Sequence, residues 1–200
     1  MNEPNLSSYL ATRNLWNMYM HDYHDQQALE CFSMVIRDIE PDKLTELDIA
    51  DAARSLAHFQ HLDYDCLEVL LKQSIRRADK FNLQTLAVVL NAFAELEIAN
   101  PTLLTIAKQT LLSKIDRQAV TQDGQPLITG EKPSLSPVDC AMFMAAFSRS
   151  EYFEDPALQE SLITCFIERI SEADGPTTVT LLNAHAAWLH HIIEKTLIRR

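Results

Sequence analysis

The feature that most constrains the fold is a repeating pattern of small and apolar residues. Within each segment the apolar positions recur every three or four residues, which indicates an amphipathic helix. Self-similarity at a period of about 20–50 residues is typical of proteins built from stacked repeats. With a shift of 34 residues, four positions of one segment fall on similar residues of the next: Ile49 on Leu83, Ala53 on Ala87, Leu56 on Leu90 and Phe59 on Phe93.

The pattern returns twice more along the chain. Residues 182–186 match residues 90–94 at four of five positions. Between Arg117 and Leu135 the pattern lapses, and this stretch holds two of the three glycines and two prolines. It predicts an exposed loop insertion at about 117–135. After the loop, a shift of 54 residues from the second segment aligns four positions: Ala141, Met144, Ala146 and Phe147 with Ala87, Leu90, Ala92 and Phe93.

Helix start signals agree with this periodicity. Thr45 followed by Asp48 resembles a capping box, and Asn82 is a further candidate cap. Four prolines follow a capping candidate in the pairs Asn100-Pro101, Ser136-Pro137, Asp155-Pro156 and Gly175-Pro176. The chain is therefore predicted to form nine helices, at 7–21, 25–39, 48–61, 66–80, 83–97, from 101, 137–149, 156–172 and about 176–197.

These observations predict an all-α fold. We expect an α-solenoid of about four to five antiparallel helix pairs, with helix-turn-helix repeats of 34–38 residues, in a single domain spanning 1–200. The shortage of glycine agrees, because sheet proteins with many tight turns and phosphate-binding loops need more than three.

The first-helix pattern also carries a family resemblance. The segment from Leu86 to Leu96, LAVVLNAFAEL, resembles the repeats of organellar RNA-metabolism proteins, namely the octotricopeptide class and the repeats before the RAP domain of FAST-kinase-like proteins. The resemblance covers about residues 45–115 and 136–190. It implies a mitochondrial or plastid setting and a role near RNA.

The distribution of charged residues indicates one candidate binding site. The net charge is −11, so nucleic acid would bind only at a local excess of basic residues. Such an excess lies on the predicted second helices, where Lys72, Arg76 and Lys80 stand four residues apart on one helix face. Stacking of the repeats would place this cluster beside the basic residues of the next second helix, and the patch could contact phosphates or an acidic partner. The alternative is a solvated face balanced by Glu68, Asp79 and Asp116. We call the candidate the basic stripe, and its members are Lys72, Arg76, Arg77, Lys80, Lys108, Lys114 and Arg117.

No catalytic residue, metal site or cofactor is predicted. The spacing of Cys31, Cys66, Cys140 and Cys165 fits no zinc or redox motif, so we expect half-buried thiols in a reducing, intracellular compartment. On the last helix His190 or His191 with Glu194 makes at most a two-ligand site, and His185 lies off that spacing. Asn91 and Asn183 share one repeat position, where they would bond to neighbouring helices or read bases.

Together these patterns predict a non-catalytic scaffold or adaptor subunit whose partners are other proteins of a larger assembly. The resemblance suggests a mitochondrial RNA-processing complex or ribosome, although the first twenty residues show no presequence. Two alternatives stay open: a direct RNA-binding repeat protein that uses the basic stripe, and an enzyme with an unrecognised site. No membrane association is expected, because no run of 18 apolar residues occurs.

Overall fold

The computed structural model describes residues 5–40, 43–115, 135–149 and 155–198. In these ranges the chain forms nine α-helices and no strand, which confirms the all-α prediction. The predicted loop at 117–135 lies outside the described residues except for Leu135, which is buried. The helices are α1 (Asn5–Met20), α2 (Gln26–Arg37), α3 (Glu46–His58), α4 (Tyr64–Arg76), α5 (Leu83–Glu95), α6 (Pro101–Ile115), α7 (Pro137–Ser148), α8 (Pro156–Glu168) and α9 (Gly175–Ile198).

Local side-chain caps start the helices from α2 to α9. In each case the capping oxygen accepts the backbone N–H three residues later, which satisfies a donor that the first turn leaves free. One predicted cap is wrong: Asp174, not Gly175, caps α9, because its carboxylate accepts the Thr177 N–H at 2.8 Å and glycine offers no such acceptor. The caps are Asp25, Thr45, Asp63, Asn82, Asn100, Ser136, Asp155 and Asp174.

Five helices end two to four residues before the predicted ends, at Arg37 against 39, His58 against 61, Arg76 against 80, Glu95 against 97 and Glu168 against 172. The first helices α1, α3 and α5 share one kind of ending. Each is followed by a residue with positive φ, namely Asp22 at 48°, Gln60 at 51° and Glu97 at 59°. After α5 the Ile98 N–H bonds to the Phe93 carbonyl at 2.8 Å, as in a Schellman motif.

Glycine at position 97 should stabilise the protein. A non-glycine residue in the left-handed region carries a steric cost of about 1 kcal/mol, which glycine avoids. Glu97→Gly is therefore expected to raise the free energy of unfolding by up to about 1 kcal/mol in urea titrations. Glu95→Gly is the control, since residue 95 is helical and the same change there should destabilise by about 0.5–1 kcal/mol. A loss of stability in Glu97→Gly would contradict this account of the helix end.

The helices group into two compact units, residues 1–98 and 99–200. In the first unit α3 packs against both α1 and α5, and α2 packs against α4. Alternate helices therefore contact each other, while α1–α2 and α3–α4 also pack as neighbours. Small residues such as Ala53 and Ala87 are fully buried along the first helices, which allows the backbones to approach closely.

In the second unit α7 packs against α8 and α9. Its core contains an aromatic pair, Phe143 and Phe147, whose buried rings stack with centroids 6.1 Å apart. Arg169 lies between α8 and a short 3₁₀ turn that begins at Ile170. Its guanidinium donates to the Leu135 carbonyl, just before α7, at 2.7 Å. The single-domain assignment over 1–200 stays a prediction.

Candidate binding surfaces

The basic stripe begins on α4, where Lys72 and Arg76 are both exposed and stand one turn apart. The structure ends α4 at Arg76, so Lys80 lies in the following turn and not on the same helix face as predicted. The chain turns here, and Ala78 and Phe81 in this turn region are buried in the core. The regular four-residue spacing of the stripe is therefore broken after its second member.

Carboxylates of the same chain already pair with several stripe residues. Lys72 Nζ lies 2.6 Å from Glu68 Oε1, one turn earlier on α4. Arg77 Nη1 donates to Glu46 Oε1 at 3.2 Å, and only 14% of its side chain is exposed. This pair joins the end of α4 to the start of α3. Arg77 thus has a structural role and offers little surface to a ligand.

The stripe residues of α6 belong to the second unit. Lys108 forms an ion pair with Asp155, which also caps α8. The side chain of Lys114 and the whole of Arg117 lie outside the described residues. The structure brings Lys72, Arg76, Arg77 and Lys80 together in the first unit, and their predicted proximity to the α6 residues stays a prediction.

The Lys108–Asp155 pair should make stability depend on pH. Burial raises the pKa of Asp155, but hydrogen bonds from Lys108 and from the Leu158 and Ala157 N–H groups outweigh it and hold the pKa below its usual value. Ionised Asp155 therefore stabilises the folded state. This stabilisation is fully present above the pKa of the unfolded state, about 3.9, and is lost as pH falls through the lower pKa of the folded state.

We therefore expect Lys108→Met to be less stable than wild type by about 1 kcal/mol above about pH 5. The difference should shrink below about pH 4, where protonation of Asp155 removes the pair in wild type. Urea titrations from pH 3 to pH 7 measure it. A difference that is the same at every pH would show that the ion pair does not contribute.

The cysteines are free thiols, and most of them are buried. Cys66, Cys140 and Cys165 are buried, whereas Cys31 is exposed, so the expectation of four half-buried thiols is corrected on both counts. Burial raises the pKa of Cys66 and of Cys140 to about 12. Both thiols are therefore protonated near neutral pH, and the thiolate is the form that binds metals or attacks substrates.

The candidate polar residues of α9 and α5 do not form the contacts considered for them. His190 Nδ1 lies 3.6 Å from Glu194 Oε2, and both side chains are exposed. Within the described ranges no three His, Cys, Asp or Glu side chains are placed to share a metal ion. Asn91 donates to Glu95 on its own helix at 2.8 Å, so it does not bond across to a neighbouring helix as predicted.

Two features of the first unit were not predicted from the sequence. Arg54 of α3 lies over the rings of α1, with its Cζ 4.8 Å from the Tyr19 centroid, and His58 Nε2 lies 2.8 Å from Asp22 Oδ1. These contacts stabilise the packing of α3 against α1.

The second feature is a cleft of about 610 Å³ beside the turn between α3 and α4. Its carboxylates include Glu30, Asp63 and Asp65, which disfavours a phosphate ligand.

Comparison with protein-family models found none that matches the chain, and no curated protein matches it either. The resemblance to organellar repeat proteins therefore stays a prediction. None of the helices in the described ranges combines the length and hydrophobicity that a membrane crossing requires.

Proposed function

We propose that the chain is a non-catalytic scaffold or adaptor subunit, built as an α-solenoid of four to five antiparallel helix pairs. The observation that carries the proposal is the packing of α3 against both α1 and α5, with α2 against α4. Stacked repeats of 34–38 residues produce this alternation, and repeat proteins use the resulting extended surfaces to hold partners. The repeated helix ending at Asp22, Gln60 and Glu97 supports the same view, since these residues lie 38 and 37 apart.

The charge distribution favours proteins over nucleic acid as direct partners. Lys72, Arg77 and Lys108 each pair with a carboxylate of the same chain, so a phosphate would have to displace those partners. The net charge of −11 adds a repulsive background. Exposed side chains such as Met34 and Tyr64 offer instead the flexible and aromatic contacts that are enriched at protein interfaces.

The proposed assembly is a mitochondrial RNA-processing complex or ribosome. This step rests on the resemblance of the segment from Leu86 to Leu96 to the octotricopeptide and FAST-kinase-like repeats. In such an assembly the chain would contact protein subunits, and RNA would be linked to it indirectly.

Titration of the purified chain with labelled single-stranded RNA tests the proposal. The variant Lys72→Glu, Arg76→Glu, Lys80→Glu changes the stripe, and Arg13→Glu, Lys43→Glu, Arg149→Glu makes the same charge change at exposed residues elsewhere. We expect no saturable binding by any of the three proteins at about 50 mM salt. Binding by wild type that falls steeply with salt, and that only the stripe variant loses, would establish direct RNA binding instead.

A further inference from the structure

Helix α9 has two apolar faces, and the described residues cover one of them. Leu181, Ala184 and Trp188 are buried, and α9 packs against α7. The second face is exposed and its residues are spaced three and four apart in turn, which is the spacing of a helix-pairing seam. We call it the α9 seam: Val179 (55% exposed), Leu182 (58%), Ala186 (exposed), Leu189 (42%) and Ile193 (56%).

The seam occupies a repeat position that is buried elsewhere in the chain. In the repeat alignment Leu182 corresponds to Leu90, and Leu90 is buried. Helix α3 is covered on both sides, by α1 and by α5, whereas the main helix contact of α9 is with α7. Leu182 is therefore exposed at a repeat position that is buried in α5.

The flanks of the seam indicate what kind of helix it would accept. In a paired helix the residues beside the seam carry charges that select a partner of complementary charge. Here the flanking positions are Asn183, His185, His190 and Ile192, so none is Lys, Arg, Asp or Glu. A partner helix with charged flanks would find no complement, and a helix with the same uncharged flanks would meet no repulsion.

The seam is also close to symmetric about its centre. Val179 and Ile193 each stand seven residues from Ala186, and Leu182 and Leu189 stand four and three residues away. In an antiparallel two-fold contact the same patch meets itself, so Leu182 would face Leu189 and Val179 would face Ile193. A small residue at position 186 allows the two helices to approach closely at the axis. We propose that the α9 seam binds the α9 seam of a second copy of this chain.

This dimer goes beyond the scaffold role and does not depend on it. Each copy carries a net charge of −11, so the two copies repel at long range. Added salt screens that repulsion, and apolar contacts survive it. Self-association should therefore strengthen between about 50 mM and 500 mM salt, which is opposite to the salt dependence of phosphate binding.

Sedimentation velocity of the full chain tests the dimer over a protein concentration series from about 1 to 500 µM. Leu182→Glu places two like charges at the contact, and we expect dimer affinity to fall by at least about tenfold. Ile167→Glu on α8 is the matched control, because Ile167 is 59% exposed and lies off the seam. Thermal melts confirm that both variants fold.

The proposal predicts dimers for wild type and for Ile167→Glu, and a monomer or a much weaker dimer for Leu182→Glu. A wild type that remains monomeric over the whole series overturns it. So does a Leu182→Glu variant that dimerises as well as wild type, or an Ile167→Glu variant that dissociates equally. None of these results bears on partners of other sequence, so the scaffold role is judged separately.

Cross-linking tests the antiparallel arrangement. In a Cys31→Ser background, which removes the exposed native thiol, Ala186→Cys places a thiol beside the two-fold axis. We expect mild oxidation to give a disulfide-linked dimer. Thr180→Cys, exposed on α9 but off the seam, is the control that should stay monomeric on a non-reducing gel. Cross-linking at position 180 but not at position 186 would overturn the arrangement.

Discussion

Phe143→Ala is expected to lower the free energy of unfolding by about 3–5 kcal/mol. Phe143 is fully buried on α7, and its ring stacks on that of Phe147. Because α7 packs against both α8 and α9, few other side chains can move to fill the space that the ring leaves. Urea titration followed by circular dichroism measures the loss.

Val138→Ala provides the control for this prediction. Val138 lies on the same helix but is 45% exposed, so removing its methyl groups should cost less than about 0.5 kcal/mol. If Phe143→Ala cost no more than Val138→Ala, Phe143 would not lie in a packed core and the arrangement of the second unit would be wrong.

Ala87→Leu is expected to destabilise the protein by about 1–3 kcal/mol. Ala87 is fully buried on α5, the helix that packs against α3. Three added carbons would force the two backbones apart or push side chains out of their preferred rotamers. A thermal melt of the variant is compared with that of Ala157→Leu, which adds the same atoms at an exposed position of α8.

The control variant should melt within a degree or two of wild type, because surface substitutions change stability by about 0.5 kcal/mol at most. An Ala87→Leu protein that also melts like wild type would mean that α5 and α3 are not closely packed. The small residues of the repeat pattern would then have no structural explanation.

The helix starts could be predicted from the sequence because their signals are local. The side chains of Thr45, Asn82, Ser136 and Asp155 each bond to an N–H only three residues away. The ends of α3 and α5 were predicted too late, since the usual signal is a glycine at the left-handed position. This chain uses Asp22, Gln60 and Glu97 there, and these residues look like any other surface position of a helix.

The candidate site was harder to predict because its residues pair over long distances in sequence. Lys72 with Glu68 is a local helix pair, but Arg77 pairs with Glu46, 31 residues earlier, and Lys108 with Asp155. Sequence spacing alone cannot show that these cations are already occupied. In contrast, the spacing of the α9 seam is visible in the sequence, and what it cannot show is that no described helix covers this face.

In the proposed function, this chain acts through contacts with other proteins and not with RNA. Affinity purification from the native cell, with and without nuclease and with partners read by mass spectrometry, tests it most directly. We expect a fixed set of protein partners, in constant proportion to the chain, that survives nuclease treatment. Loss of all partners after nuclease would contradict it and would make Lys72, Arg76 and Lys80 the residues to mutate.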